Sequence, residues 1–278
     1  MKYPVILFVG SAGAGKDEAA KLLGSKLNGV RVSLADPIKR FALHFGFCED
    51  QLWGPSRLRN EADPRFESLA IRREVELEIE YGHVKWLNSL PFRSYFDAKN
   101  ELSECCRQLL ATAESQQFLT PRHVLQVLGT GFGRKVQRDI WVQTALQTAE
   151  LLLGGNCTYS KSTGLLTTDQ NHDVVVIPDG RFRSEIMAIK KAGGLVIKIV
   201  NPEPTSKDIG GIQGHVSESE QDGIPEWHYD YVLVNDKSAG IQTLDNLVAT
   251  VVNDIRSKSI VGNLWGNGDP RNLVRHGL

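Results

Sequence analysis

Residues 3–20 read YPVILFVGSAGAGKDEAA: an apolar run, a glycine-rich turn, a lysine, and an alanine-rich stretch suited to a helix. The spacing Gly10-x4-Gly15-Lys16 is that of a phosphate-binding loop up to its last position, where Asp17 stands in place of the usual Ser or Thr. Phosphate oxygens need many donors in a small volume. Glycines let successive N–H groups curl inward, and the helix that follows points its positive end at the anion. Lys16 adds a mobile cation. The candidate phosphate-binding residues are Gly10, Ser11, Ala12, Gly13, Ala14, Gly15, Lys16, Asp17 and Glu18. Val5–Val9 before the loop is the apolar run of a buried parallel strand, and Ala19, Leu22, Leu23 and Leu27 behind it recur at helical spacing.

Downstream, Val30–Ala35 predicts a second strand, and Ile38, Phe41, Ala42 and Phe45 predict a helix stopped by Gly46. Asp36 fits the N-cap and Pro37 the first helical position. Asp36 also lies just past a strand end beside the phosphate loop, where open parallel sheets bind ligands, so cap and ligand contact are both open. Residues 47–66 are irregular, with a Gly54-Pro55 break and clustered Arg57, Arg59 and Arg65. Stretches 68–90 and 97–115 are charged and helix-prone, and 50–118 reads as a mainly helical insertion. Within it, Trp53 with Arg57 and Arg59 suits stacking of a base and holding of a phosphate, or else a packed tryptophan in a surface loop. Thr120-Pro121 opens a helix that Gly129 should stop. The segment TGFGRKVQRD that follows offers Thr130 and Arg134 as a grip for a small anion, the alternative for Arg134 being a solvated charge. A long helix spans about 139–153.

Residues 154–172 predict a loop or short hairpin. The strand Asp173–Ile177 runs into Pro178-Asp179-Gly180-Arg181-Phe182-Arg183. An acidic residue there is what a magnesium site beside a phosphate loop requires, usually acting through water because magnesium dehydrates reluctantly. The alternative is a plain Asp-Gly turn. Ser184 is placed to cap a helix through Lys191. Leu195–Val200 and Tyr231–Val234 complete five strands, separated by a long polar stretch that suggests a lid over 201–229. Ile241, Leu244, Val248, Val251, Val252 and Ile255 mark a final amphipathic helix before a polar tail, 257–278. The fold class is α/β: a parallel five-stranded sheet with helices on both faces, in one domain over 1–256.

Lys and Arg number 32 against 33 Asp and Glu, for a formal charge of -1. That balance argues against bulk attraction to a nucleic-acid polymer or an anionic membrane. Cys48, Cys105, Cys106 and Cys157 have no metal-ligand spacing and read as reduced thiols. No signal segment or membrane-length apolar run is present, so a soluble cytoplasmic protein is expected.

The assembled pieces resemble the bacteriophage-type deoxynucleoside monophosphate kinases, a branch of the P-loop nucleotide kinases. They are VGSAGAGKD at 9–17, LADPIK at 34–39, LWGPSRLRN at 52–60, LTPRHVLQVLGTGFGR at 119–134, DIWV at 139–142, IPDGRFRSE at 177–185, AGG at 192–194 and HVSE at 215–218. The resemblance spans 3 to about 255 and is weak over 61–117 and 154–172. It makes Asp17 a normal feature of the loop, although a hydroxyl residue often follows it in the family and Glu18 follows here. It implies transfer of the ATP γ-phosphoryl group to a deoxynucleoside 5′-monophosphate, with ATP and Mg2+ bound. The N–H groups of Gly13–Asp17 and Lys16 would hold ATP, and Asp179, with Asp17 beside it, would serve magnesium. Arg181 sits in a DGRFR segment similar to the DGFPR of adenylate kinases, so Arg181 or Arg183 would hold the acceptor phosphate. Arg134, Arg57 and Arg59 are further candidates, and Asp36, Trp53 and Thr130 fall on the acceptor side. His215 and Glu218 of HVSE are candidate closure contacts. The implied setting is an infected bacterial cytoplasm, with oligomeric state, a homodimer included, left open. Two other readings survive at this stage: a P-loop kinase of another phosphorylated acceptor such as phosphomevalonate, and a non-kinase ATPase.

Overall fold

In the computed structural model, residues 5–202, 223–264 and 274–276 are described, with side chains to Lys258. In chain order the elements are β1 (Val5–Val9), α1 (Lys16–Lys26), β2 (Gly29–Arg31), α2 (Asp36–Ala42), α3 (Glu49–Trp53), α4 (Ser56–Asn60), α5 (Leu69–Asn88) and α6 (Tyr95–Gln116). After these come α7 (Pro121–Gln126), α8 (Ile140–Leu153), β3 (Cys157–Ser160), β4 (Gly164–Thr167), β5 (Val174–Gly180), α9 (Arg183–Lys191), β6 (Leu195–Val200), β7 (Tyr231–Val234), α10 (Ile241–Leu264) and β8 (Val274–His276). They form two compact units. One comprises Met1–Leu34, Ala145–Ser160 and Leu165–Leu278; the other comprises Ala35–Thr144 and Lys161–Gly164.

The first unit is built on a parallel sheet of strand order β2-β5-β1-β6-β7-β8. The five expected strands are its first five, and β8 adds a short sixth at the edge, with Val274 opposite Tyr231. All five residues of β1 are buried, as a strand covered on both faces requires. On one face Ile6 and Phe8 join Ala19 and Leu23 of α1 with Val248 and Val252 of α10 in a single core. The alternate residues Val5, Leu7 and Val9 point to the other face, where α9 packs against β1 and β6.

The β1–β5 ladder carries a bulge. Leu7 lies opposite Ile177, but Val9 lies opposite Gly180. Pro178 has no N–H to give, so the ladder breaks there and the strand is re-aimed at Asp179. This also shortens β2. The expected strand to Ala35 ends at Arg31: the Val32 N–H still donates to the Val176 carbonyl at 3.0 Å, but the Ser33 hydroxyl and the Leu34 N–H then turn to Asp179.

The second unit is held by aromatic packing rather than by a sheet. Phe41 of α2 stacks on Trp86 of α5 with centroids 4.4 Å apart, and Phe132 and Trp141 close on the same indole at 5.8 and 6.3 Å. Trp86 Nε1 donates to the Pro37 carbonyl at 2.9 Å. The helices expected over 68–90 and 97–115 are α5 and α6.

Two expectations are corrected. Gly129 does not end the helix: a π-helical stretch continues from Val127 to Arg134. Trp141 explains it. Its indole N–H donates to the Gly129 carbonyl at 2.8 Å, and its ring would lie 2.1 Å from any Cβ on Gly133, so these glycines make room for a side chain. The C-terminal helix does not stop near 256 but runs to Leu264, since extending a helix already anchored by Val248, Val251, Val252 and Ile255 costs little. The stretch 154–172 holds the two-stranded β3–β4 sheet. Most of the expected lid, including HVSE at 215–218 with His215 and Glu218, lies outside the described residues.

Candidate active site

The candidate phosphate loop follows directly from β1. Gly10, Gly13 and Gly15 all have positive φ, at 147°, 75° and 96°. A Cβ on Gly10 would sit 2.3 Å from the Ile199 carbonyl oxygen, so the loop leaves the sheet where only glycine fits. Lys16 opens α1 and folds back over the loop, donating to the carbonyls of Gly10 at 2.7 Å and Ser11 at 2.6 Å. The loop is thereby curled around its own lysine, at the positive end of an 11-residue helix.

Asp17 and Glu18 occupy the first turn of that helix. Asp17 pairs with Arg31 of β2 at 3.0 Å while remaining 81% exposed. Glu18 lies 3.9 Å from Lys21 on the outer helix surface. Asp179 is differently placed. Its Oδ1 accepts the Leu34 N–H at 2.9 Å and its Oδ2 accepts the Ser33 hydroxyl. The bulge and the end of β2 therefore orient this carboxylate from both sides.

Arg181 and Arg183 follow at the start of α9, both with exposed side chains. Their backbone is set by Glu185, 4% exposed, whose Oε2 accepts the N–H groups of Arg181 at 2.7 Å and Phe182 at 2.9 Å. Ser184 does not cap this helix: its hydroxyl is buried without a hydrogen-bond partner, and Glu185 reaches back instead. The carboxylate is charged, so its hydrogen bonds to N–H groups at the helix N-terminus are stronger than a hydroxyl's, which favours this solution.

The other acceptor-side candidates lie in the second unit. Asp36 is 3% exposed and is the first residue of α2, not its cap. Its Oδ1 accepts the indole N–H of Trp53 at 2.8 Å. Lys39 Nζ lies 5.7 Å and Lys161 Nζ 6.0 Å from the Trp53 ring centroid. Lys161 stands between β3 and β4, and its carbonyl accepts from Arg40 at 3.2 Å. Arg59 spends one nitrogen on the carbonyls of Leu52 at 3.3 Å and Gly54 at 2.8 Å, holding together the chain between α3 and α4. Arg57 and Thr130 are exposed, and Arg134 is half-buried at the end of the π-helical stretch. Arg65, clustered with Arg57 and Arg59 in sequence, is drawn into a structural network with Asp63 and the Gly46 carbonyl.

Sequence reasoning missed four contributors: Asn235, Ser33, Glu185 and Lys161. Asn235 follows β7 and is 5% exposed, with its Nδ2 donating to the Ala14 carbonyl of the glycine-rich loop at 2.9 Å. The only sequence signal for it was a polar residue at the carboxyl end of an apolar strand, the same signal that singled out Asp179.

A glycine-rich loop leaving the central strand of a parallel sheet, with a carboxylate on the adjoining strand end, is the architecture of a nucleotide-kinase-like α/β protein. The chain belongs to the deoxynucleotide monophosphate kinase family, whose model matches residues 4–250. It is similar to the deoxynucleoside-5′-monophosphate kinase of Escherichia phage T5, 27% identical over 272 residues that cover 91% of this chain and 97% of that protein. A protein of Acanthamoeba polyphaga mimivirus, provisionally named as a deoxynucleotide monophosphate kinase, is 26% identical over 237 residues, 84% of this chain and 89% of that one. The chain is thus a kinase of nucleotide metabolism that phosphorylates deoxynucleoside monophosphates, and these matches favour neither a phosphomevalonate kinase nor a non-kinase ATPase. Among the described residues no helix is long and apolar enough to cross a membrane.

Proposed function

We propose that the chain transfers the γ-phosphoryl group of ATP to the 5′-phosphate of a deoxynucleoside monophosphate, with Mg2+ bound at Asp179. An acceptor phosphate oxygen forms the new P–O bond as the bond to the β-phosphate oxygen breaks, giving the deoxynucleoside diphosphate and ADP. Such a transfer needs positioning and charge neutralisation more than covalent help from the protein. The observation that carries the reading is the loop itself: three glycines with positive φ, curled around Lys16 at a helix N-terminus. Its N–H groups and Lys16 hold the triphosphate. In this reading Lys16 exchanges the Gly10 and Ser11 carbonyls for phosphate oxygens.

Asp179 suits magnesium because it is a hard oxygen donor at a strand end whose two oxygens are oriented by protein donors, as a carboxylate that holds magnesium through water requires. Bound there, magnesium neutralises charge on the phosphates. Asp17, exposed and paired with Arg31, acts as a secondary contact through water. Arg181, Arg183 and Arg134 supply positive charge for the acceptor and for the group in transfer. Asp36 fixes the Trp53 indole, and Lys39 and Lys161 around that ring attract the acceptor phosphate. Arg57 and Thr130 are exposed contacts for the same nucleotide, and Arg59 shapes the chain that presents Trp53. The setting we infer is an infected bacterial cytoplasm, which the phage T5 relative supports.

One coupled assay tests this reading: ADP release across the deoxynucleoside monophosphates, the ribonucleoside monophosphates and phosphomevalonate, with free phosphate measured alongside. Release of ADP that depends on a deoxynucleotide, without free phosphate, is expected. Deoxynucleotide turnover no higher than an acceptor-free control would overturn it.

A further inference from the structure

We propose that Asn235 is a positioning residue for the nucleotide: it fixes one peptide of the phosphate loop so that the Gly15 N–H is available to a phosphate. The proposal rests on the loop reading above and assigns a role to a residue at the far end of the sheet.

The geometry is closely constrained. Asn235 follows the last residue of β7, and its own N–H donates to the Val200 carbonyl at the end of β6, at 2.8 Å. The next residue, Asp236, turns the chain by accepting the N–H and hydroxyl of Ser238 at 2.8 and 2.6 Å. The Asn235 side chain is therefore anchored on both sides in sequence. Its Nδ2 reaches the Ala14 carbonyl at 2.9 Å, across 221 residues of chain, in a buried contact.

That carbonyl and the Gly15 N–H belong to the same planar trans peptide, so they point in opposite directions. Holding the oxygen on Asn235 turns the Gly15 N–H away from Asn235, out of the protein interior that the amide occupies. Gly15 has φ 96°, a conformation from which a glycine-flanked peptide flips readily. The amide nitrogen also lies 2.4 Å from where a Cβ on Gly15 would be, with Leu244 behind it at 3.9 Å. Glycine at position 15 and asparagine at position 235 thus occupy one shared volume, and the asparagine decides the orientation that the glycine alone leaves free. Losing the amide strands a buried carbonyl, and rotating the peptide to find another donor removes the Gly15 N–H from the loop.

The test uses Asn235→Leu, which keeps the volume and neutrality but has no donor, and Asn235→Ser, which keeps a shorter donor. ATP and deoxynucleoside monophosphate dissociation constants are measured by calorimetry on the full chain without turnover, at a temperature where circular dichroism shows each variant folded. Asn235→Leu is expected to weaken ATP about 10-fold or more, the scale of one hydrogen bond's loss, with deoxynucleotide affinity unchanged and Asn235→Ser in between. If Asn235→Leu does not fold, Asn235→Ser alone decides. A folded variant with wild-type ATP affinity, or equal loss for both nucleotides, overturns the proposal. Failure of the wild-type chain to bind ATP would instead overturn the loop reading on which it rests.

Discussion

The indole N–H of Trp53 is held by the buried carboxylate of Asp36, at 2.8 Å, while two lysine ammonium groups lie within 6.0 Å of the same ring. An anion accepting the indole proton makes the ring more electron-rich, which strengthens its attraction for cations at its face. Asp36 therefore acts on Lys39 and Lys161 through Trp53. Replacing Asp36 by Asn removes the charge and keeps the shape. The Michaelis constant for the deoxynucleotide should rise about 10-fold, one lost charge-assisted hydrogen bond, while that for ATP stays constant. Steady-state kinetics with each substrate varied separately checks it. Parallel loss toward both substrates would mean that the contact only supports the fold.

Lys16 folds back over the glycine-rich loop, and the proposed function makes it the cation that meets the triphosphate. Lys16→Ala should leave the circular dichroism spectrum unchanged and lower the turnover rate by about 10²–10³, the usual cost of one preorganised electrostatic donor. A loss under threefold would remove Lys16 from the chemistry.

Glu18 stands where a hydroxyl residue often follows the Asp in this family, yet it lies on the helix surface with Lys21 at 3.9 Å. Glu18→Thr should retain or increase activity. Collapse of turnover with ATP binding intact, read by calorimetry, would give the glutamate a catalytic part of its own.

Asp63 tests the second unit's stability. Its side chain is 4% exposed and accepts from Arg65 through both oxygens, at 2.9 and 2.6 Å, and from Gln51 at 3.1 Å. Burial pushes its pKa up, but the hydrogen bonds from Arg65 and Gln51 and the Arg65 charge outweigh that and leave it below its ordinary value. A depressed carboxyl pKa means stability that is full above the unfolded value and is lost as pH falls through the folded one. Asp63→Asn should cost about 1–3 kcal/mol near neutral pH. The gap to wild type should narrow as acid protonates Asp63. A gap in Tm that does not change between pH 7 and pH 3 would contradict this.

The cysteines divide by environment. Burial pushes the Cys106 thiol up to about 12 and the Cys105 thiol up to about 11. Cys48 is exposed and Cys157 half-buried. Since the thiolate is the reactive form, titration of the native protein with a thiol reagent should modify Cys48 and Cys157 quickly, and Cys105 and Cys106 only after denaturation. Rapid loss of all four thiols would mean that α6 opens readily.

Much of the fold was legible because parallel strands buried on both faces are apolar throughout, as Val5–Val9 and Val174–Ile177 are, and because Leu195–Val200 and Tyr231–Val234, less completely buried, are still mostly apolar and β-branched. The glycine-rich turn between β1 and α1 was legible because its glycines and lysine are contiguous. The π-helical stretch was not, because Gly129 and Gly133 read as breakers until Trp141 is seen filling the space beside them. The cap of α9 was misjudged between Ser184 and Glu185, residues one position apart, because which side chain turns back depends on burial.

By itself, then, the sequence determined the strand–loop–helix frame, the glycine-rich turn before α1 and the strand-end position of Asp179, all of which rest on neighbours along the chain. Only the tertiary structure decided that Asn235 holds the Ala14 carbonyl, that Ser33 and Leu34 orient Asp179, and that Lys161 reaches Trp53. Each of these pairs lies more than 100 residues apart. The physical reason is that hydrogen bonds and charge contacts act over a few ångströms in space, and the order in which a chain folds back on itself is not written in the spacing of its residues.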